Sequence, residues 1–328
     1  MQLRHIVIAA KLVVGAGLIY WLLRDTGARD VLAVLKTANP AYLAASIGCF
    51  VLVVVVNAVR WRVVFDLLGT HLPLRTAVLG TFEGMFFNLF LPTGVGGDVV
   101  RAYRAYDHGL TAKRAAECAM IDRALGLWGL AGAIVVAAIF STGLRMVPGW
   151  QLLTGLAVVV VIGGICVAWA AKLLPGRAGN RWLDAALGVA REYGTVVRSA
   201  RFWTAIVPLL AIVNLLIGLS AWFAGASIGL SAGFADMVIV VEGGALTAMI
   251  PISIGGWGVR EGTVAFLLAA MGHAQTSALA ASALMGIVLA VMGLIGALIW
   301  MALPYNRTPA HTGQERATSG RQSASRRK

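Results

Sequence analysis

Residues 91–101 read LPTGVGGDVVR, and residues 250–260 read IPISIGGWGVR. The two stretches lie 159 positions apart, and at that offset residues 83–101 and 242–260 share seven identities. The identical pairs are Glu83/Glu242, Gly84/Gly243, Pro92/Pro251, Gly96/Gly255, Gly97/Gly256, Val100/Val259 and Arg101/Arg260. Because glutamate, proline and arginine are scarce in apolar surroundings, their recurrence in register indicates an internal repeat.

The chain around these stretches is strongly apolar. Hydrophobic residues make up 59% and charged residues 12% of its 328 residues, whereas an average soluble domain is about half apolar and a quarter charged. The apolar runs are long enough to cross a bilayer, which takes about 20 residues of helix. Composition therefore predicts an all-α polytopic membrane protein, with spans at 6–23, 41–59, 117–141, 152–171, 203–229 and 276–302.

The net charge of +13 comes from bases in loops and in the C-terminal tail. This distribution follows the positive-inside rule, so we expect no nucleic-acid partner. The connection 172–202 and the tail carry six bases each, which predicts that both are cytoplasmic. We interpret residues 1–304 as one transmembrane domain and 305–328 as a disordered basic tail.

The topology follows from these anchors. The loop 142–151 is predicted outside, and the basic stretches 60–76 and 101–114 are predicted inside. Regions 77–114 and 235–271 must then each enter and leave the membrane from one side. The sequence thus predicts about six full spans plus two oppositely oriented re-entrant helical hairpins that form an inverted repeat, with both termini in the cytoplasm.

The repeated motif has the chemistry of a hairpin tip. Proline ends a helix because it lacks an amide donor, and paired glycines allow a tight reversal. From Glu83 to Pro92 a helix rises roughly 13 Å, about half of a hydrocarbon core of ~30 Å. Irregular backbone at that depth must be buried or line a wet cavity, and in inverted-repeat transporters it builds the substrate site. The predicted tip and path residues are Asn88, Pro92, Gly96, Gly97, Asp98, Thr247, Pro251, Gly255 and Gly256; the alternative is two purely structural kinks.

Ionisable residues inside apolar segments form a second candidate set: Glu83, Arg101, Glu117, Asp122, Arg123, Glu242, Arg260 and Glu261. Such residues are costly in a membrane and usually face a cavity or a partner. The hairpin geometry predicts that Glu83 contacts Arg101 and that Glu242 contacts Arg260. The alternative is that both arginines reach lipid phosphates instead.

Other chemistry is not expected. The sequence has no Walker loop, no Ser-His-Asp set and no metal-spaced histidines, so we predict no cofactor, no metal site and no enzyme activity. The segment 181–201 has apolar residues at helical spacing, which fits an interfacial helix or a plain amphipathic linker.

Three stretches resemble one family: NLFLPTGVGGDVVRAYR (88–104), DRALGLWGL (122–130) and IPISIGGWGVREG (250–262). They are similar to the flippase-like, lysylphosphatidylglycerol synthase transmembrane-domain family, the membrane half of the bacterial multiple peptide resistance factor. The resemblance covers about residues 5–304 and implies an inner-membrane protein of lipid translocation. It carries over Pro92, Gly96, Gly97, Asp98, Arg101, Asp122, Arg123, Glu242, Pro251, Gly255, Gly256, Arg260 and Glu261. This chain is expected to be a stand-alone member without the aminoacyl-transfer domain, so lysyl transfer is not expected.

The leading hypothesis is ATP-independent translocation of a lipid or polyprenyl-linked lipid head group across the cytoplasmic membrane, through a midplane site between the two hairpins. Its expected partners are membrane lipids. One alternative is a membrane glycosyltransferase that uses a prenyl-linked sugar, with Asp25 and Asp30 as outside acids. Another is a non-transporting partner of an envelope lipid- or glycan-modifying enzyme.

Overall fold

The computed structural model describes residues 28–90, 96–173, 180–250, 253 and 256–303, and all structural statements below concern these residues. The predicted first span, 6–23, and the basic tail, 305–328, lie outside them. So do Pro92, Pro251 and Gly255 of the two motifs.

The described part of the chain is helical apart from its connections. Its α-helices are α1 (Ala28–Lys36), α2 (Pro40–Leu67), α3 (Leu74–Phe90), α4 (Gly96–Asp107), α5 (Ala112–Phe140), α6 (Trp150–Ala170), α7 (Arg181–Arg198), α8 (Val207–Ala226), α9 (Phe234–Ala248), α10 (Val259–Ala270) and α11 (Gln275–Ala302). A 3₁₀ turn, Leu144–Met146, precedes α6, and a π-helical turn, Phe202–Ile206, leads into α8. The all-α class predicted from composition is confirmed.

Local sequence explains several helix ends. Asn39 accepts a hydrogen bond from the amide of Ala41 and precedes Pro40, a capping residue followed by a proline that fits the first turn. Thr111 caps α5 in the same way by accepting from the amide of Arg114. Pro208 cannot donate to the preceding turn, and the π-helical turn lies immediately before it.

Among the described residues, five helices are long and apolar enough to cross a membrane: Pro40–Leu67, Ala112–Phe140, Trp150–Ala170, Phe202–Ala226 and Gln275–Ala302. They match five predicted spans, but α2 ends at Leu67 rather than at residue 59. Arg60 and Arg62, which were expected in a basic loop, belong to this helix. Arg60 can be accommodated there because it is ion-paired within the protein.

Two units of four helices share one order of elements. We call α2–α5 the first unit, with α3 and α4 as the first hairpin, and α8–α11 the second unit, with α9 and α10 as the second hairpin. In each unit a long apolar helix is followed by two shorter helices and a second long one. The predicted regions 77–114 and 235–271 overlap these helix pairs, which begin at Leu74 and at Phe234.

The first helices of the two units, α2 and α8, pack against each other and run antiparallel. At one end the amide of Asn39 donates to the carbonyl of Ser227 at 2.7 Å. Further along, Ser46 Oγ donates to the carbonyl of Ser220 at 2.8 Å, and Ser220 Oγ donates to the carbonyl of Ser46 at 2.9 Å. The first helices of the two units therefore point in opposite directions.

Each helix contact of the first unit has an equivalent contact in the second unit. Within the units, α2 packs on α3 and α5 as α8 packs on α9 and α11. Between the units, α3 packs on α11 as α9 packs on α5, and α5 contacts α8 as α11 contacts α2. Two flanking helices follow the same rule, because α1 contacts α11 and α7 contacts α5. We call residues 159 positions apart counterparts.

Candidate functional site

A network of buried charges joins the first hairpin to the spans on either side of it. Arg101 of α4 forms ion pairs with Asp122 of α5 and, at 3.6 Å, with Asp98 of its own helix. Asp98 also pairs with Arg123 of α5 at 2.5 Å. Arg60 of α2 pairs with Asp122 at 3.2 Å. Three arginines and two aspartates therefore connect α2, α4 and α5.

Arg60 and Arg101 are held from several directions. The guanidinium of Arg60 donates to Asn57 Oδ1 at 2.7 Å and to the backbone carbonyl of Asp122 at 3.2 Å. The guanidinium carbon of Arg101 lies 4.6 Å from the centre of the Trp61 ring, a cation–π contact. Arg60, Arg101 and Asp122 are buried, so the network is a fixed part of the protein interior. Its accessible end is Arg123, whose side chain is 35% exposed.

A separate ion pair holds the two limbs of the first hairpin together. The fully buried carboxylate of Glu83 accepts from Nε of Arg104 at 2.9 Å and from Nη2 of the same guanidinium. Arg104 also donates to the carbonyl of Leu303 at the end of α11. The predicted Glu83–Arg101 pairing names the wrong arginine. The repeat offset predicts which residues lie at similar depths, but it does not specify how α4 is rotated about its axis. In the structure this rotation turns Arg101 towards Asp122 and Arg104 towards Glu83.

Polar and small residues close the first hairpin near its tip. Asn88 Oδ1 accepts from the amide of Gly97 at 2.7 Å. A Cβ on Gly84 would lie 3.1 Å from the carbonyl oxygen of Gly97, so the limbs touch through their backbones. Gly96 is buried beside them at the start of α4. Asn88 thus joins α3 to the start of α4 by a hydrogen bond.

The second hairpin differs from the first in its backbone as well as in its polar contacts, because α10 begins four positions later in the repeat than α4. Thr247, the counterpart of Asn88, is hydrogen-bonded to Thr263 at 2.9 Å between their hydroxyl oxygens. Gly256 has φ +76°, and a Cβ there would lie 2.6 Å from that of Ala248. Gly258 also has a positive φ, +82°, which glycine adopts without strain.

Arg260 of the second hairpin is paired with the residue next to it. Its guanidinium forms an ion pair with Glu261 and lies 5.3 Å from the centre of the Trp257 ring. Glu261 Oε2 also accepts from the amide of Gly258 at 2.7 Å, which caps α10. Ser282 of α11 donates to the carbonyl of Glu261 at 3.0 Å. These contacts anchor the start of α10 to α11.

The predicted Glu242–Arg260 contact is wrong. Glu242 is 1% exposed, and its Oε1 has no hydrogen-bond partner among the described residues. The counterpart of Arg104 is Thr263, so the second hairpin lacks the arginine that holds Glu83 in the first. Arg260 instead binds the adjacent Glu261, which also serves as the helix cap.

Glu117 lies apart from the network, near the start of α5. It pairs with Arg114 at 3.4 Å and with Lys113 at 3.7 Å. Arg114 in turn pairs at 2.5 Å with Glu192 of α7 and thereby attaches the amphipathic helix. Glu117 is therefore part of a surface cluster rather than of the buried network.

Sequence reasoning missed Arg60, Trp61 and Arg104. Arg60 and Trp61 occur in VVVVNAVRWRVVF (53–65), where an arginine interrupts an apolar run. That position was a usable signal, because a charge within a span needs a partner. It was obscured by ending the predicted span at residue 59.

Two cavities lie beside the second hairpin. One of about 700 Å³ is lined by the connection before α6 and by α9 and α10, including Thr247 and Thr263. The other, of about 480 Å³, is a groove between α5, α8 and α9 with an almost entirely apolar lining. Val238 of α9 and Asn214 of α8 belong to this groove.

Fold and composition together define a polytopic helical membrane protein. The model of the family described as "Lysylphosphatidylglycerol synthase TM region" matches residues 8–297, and the chain belongs to this family. The chain is also similar to a "UPF0104 membrane protein" of Methanothermobacter thermautotrophicus. The two are 21% identical over 285 residues, covering 78% of this chain and 81% of the relative. The family resemblance expected from the motifs is confirmed.

Proposed function

We propose that this protein moves the head group of a lipid or polyprenyl-linked lipid across the cytoplasmic membrane without ATP. The observation that carries the proposal is the buried charge network at the first hairpin. Ionisable side chains inside membrane proteins mark substrate and ion pathways because their burial is costly. Here five of them meet at a broken helix, with Arg123 and Asp98 at the accessible end.

An inverted topology supports the proposal. Since α2 and α8 run antiparallel and the contacts survive exchange of the units, we infer that the hairpins enter the membrane from opposite sides. Helices of 17 and 12 residues in the first hairpin rise about 25 and 18 Å. Both are shorter than a hydrocarbon core of ~30 Å. In this topology the connection 172–202 and both chain termini are cytoplasmic.

The charge of the network favours an anionic head group. Arg60, Arg101 and Arg123 outnumber Asp98 and Asp122 by one, so the cluster carries one net positive charge. Arginine recognises phosphate through a planar pair of donors. The head group would pass this cluster while its chains stay in the apolar groove between α5, α8 and α9 or in the surrounding lipid. We propose binding and movement only, with no covalent step and with an envelope enzyme as supplier or user of the lipid.

The test is a leaflet assay with purified protein in vesicles. Fluorescent phospholipids, a glycolipid and a prenyl phosphate are each placed in one leaflet, and an impermeant quencher reports their movement. Wild-type protein should accelerate movement of at least one lipid, and Arg123→Gln should reduce that rate. Arg145→Gln, which changes an exposed arginine before α6, is the matched control. Rates equal to those of empty vesicles for every lipid would refute the proposal.

A further inference from the structure

Glu242 is a buried carboxyl group that the proposed head-group site does not use. It is 1% exposed on the second hairpin, and its Oε1 accepts no hydrogen bond from the described residues. Its counterpart Glu83 is equally buried but is held by two donors of Arg104. A carboxylate without a counter-ion is costly in an apolar interior, whereas a carboxylic acid is much less so.

The charged groups around Glu242 are engaged elsewhere. Three helices pack on α9: α5, α8 and α10. Helix α8 has no ionisable residue. The last ionisable residue of α5 is Arg123, and the α5 residues that share hydrophobic clusters with α9 follow it, from Leu130 to Ala137. On α10, Arg260 and Glu261 pair with each other. Within the described structure no base therefore neutralises Glu242 from these helices.

The remaining nearby charges are also accounted for. Asp236, the other acid of α9, accepts from Ser141 Oγ and, at 3.2 Å, from the amide of Gly143. Arg145, in the 3₁₀ turn of the same connection, is exposed. Glu242 thus differs from the other acid on its helix in having neither a hydrogen-bond donor to Oε1 nor an ion pair in the described structure.

Neighbours of Glu242 on α9 line both cavities. Gly243 and Thr247 line the cavity of about 700 Å³. Val238 lines the apolar groove, and Glu242 follows it by four positions, so both occupy one face of the helix. A shift of the second hairpin towards either cavity would change the hydration of the carboxyl group.

We propose that Glu242 binds and releases a proton, and that this step couples proton movement across the membrane to transport. The protonated carboxylic acid is compatible with the dry packing of the second hairpin. The carboxylate requires water or a counter-ion, so loss of the proton favours a hydrated position of the hairpin. Each cycle takes up one proton on one side and releases it on the other. The coupling rests on the function proposed above.

A chemical test examines Glu242 without any transport. Dicyclohexylcarbodiimide is an apolar reagent that takes the proton of a carboxylic acid and is attacked by its oxygen, giving an O-acylisourea that rearranges to a stable N-acylurea. We expect mass spectrometry to find this adduct on Glu242, with labelling lost as the pH rises. Glu83 is the internal control and should stay unlabelled. No adduct on Glu242 at any pH, or equal labelling of Glu83, would overturn the proposal.

A transport test then separates coupling from movement. Vesicles of phosphatidylglycerol and phosphatidylethanolamine carry fluorescent phosphatidylglycerol, and a pH difference is imposed across the membrane. Wild-type protein should accumulate the probe in one leaflet, and reversing the gradient should reverse the accumulation. Glu242→Gln should move the probe without responding to the gradient. Glu242→Asp should keep the response, and so should the matched control Asp236→Asn.

The outcomes distinguish the two proposals. Movement of the probe by wild-type protein without a gradient response overturns proton coupling and leaves translocation standing. An unchanged response in Glu242→Gln also overturns it. If none of the lipids of the leaflet assay moves, translocation is refuted, and the coupling fails with it even if the labelling succeeds. If the leaflet assay shows movement of another lipid only, that lipid replaces phosphatidylglycerol as the probe. If Glu242→Gln does not fold, the labelling and the gradient response of the wild type still decide the question.

Discussion

The two hairpins have the same order of helices and differ in their charges. In the first, Arg101 reaches Asp122 on the following span, and Glu83 is held by Arg104. In the second, Arg260 pairs with its neighbour Glu261, and Glu242 has no ion pair in the described structure. Identical residues at counterpart positions thus have different partners.

The neighbouring spans explain the difference. The counterparts of Arg60, Asp122 and Arg123 are Leu219, Ala281 and Ser282, none of which is charged. The repeated motif therefore fixes where the chain reverses, while the spans on either side decide the electrostatics. The first hairpin is fixed by charge, and the second carries a carboxyl group whose charge can change.

The largest loss of stability should follow from removing Arg104, the arginine that is paired with Glu83 in the first hairpin. Arg104→Met removes the guanidinium that is ion-paired with the buried carboxylate of Glu83, which costs of order 3–5 kcal/mol for a buried pair. Arg260→Met should cost less because Arg260 and Glu261 are both partly exposed. Thermal unfolding in detergent measures both changes.

The double variant Glu83→Met/Arg104→Met is the control for this comparison. It should regain much of the lost stability because no unpaired charge remains. The single variants Glu83→Met and Arg104→Met are measured beside it. If the double variant loses as much stability as the two single variants together, loss of the ion pair does not explain the effect of Arg104→Met.

A second difference lies in how closely the hairpins approach the opposite unit. A Cβ on Gly296 of α11 would lie 2.0 Å from the carbonyl oxygen of Phe82 in the first hairpin. Gly296→Ala should therefore cost about 1–3 kcal/mol, because backbone must shift. On α5 the counterpart is already Ala137, so the second hairpin tolerates a side chain there. Gly132→Ala, with open space around it, is the control and should leave the unfolding temperature unchanged or raised.

The hairpin tips should respond differently to loss of a polar side chain. Asn88→Ala leaves the amide of Gly97 without its acceptor, at a cost of about 1–3 kcal/mol. Thr247→Val removes one hydroxyl pair and should cost about 0.5–1.5 kcal/mol. Denaturation of both variants measures the two losses of stability. Equal losses would contradict a stronger polar contact at the tip of the first hairpin.

The smallest effect should come from the contact that relates the units. Ser46→Ala and Ser220→Ala should each cost about 0.6 kcal/mol, the average for a hydrogen bond between membrane helices. Cysteines at these two positions, in a chain with Cys49, Cys118 and Cys166 replaced by serine, should cross-link on oxidation.

Ala205→Cys combined with Ser46→Cys is the matched control for direction. Residue 205 is the counterpart of Ser46, and parallel helices would bring these two together. Cross-linking of this pair in place of Ser46–Ser220 would contradict the antiparallel arrangement of the units.

Sequence alone determined the membrane class, five span positions, the two helix pairs and their relation by a 159-residue offset. These features are local: hydropathy sets a span, and proline or glycine ends a helix whatever packs around it. The family resemblance followed from the same motifs.

Only the tertiary structure decided which charges meet. Whether Glu83 binds Arg101 or Arg104 depends on the rotation of α4 about its axis, which the packing of α2, α3 and α5 sets together. The pairing of Arg60 with Asp122, 62 positions away in sequence, and the lack of such a partner for Glu242 have the same origin. Ion pairs form between the helix faces that come into contact. The sequence of one helix does not specify which of its faces will meet which neighbour.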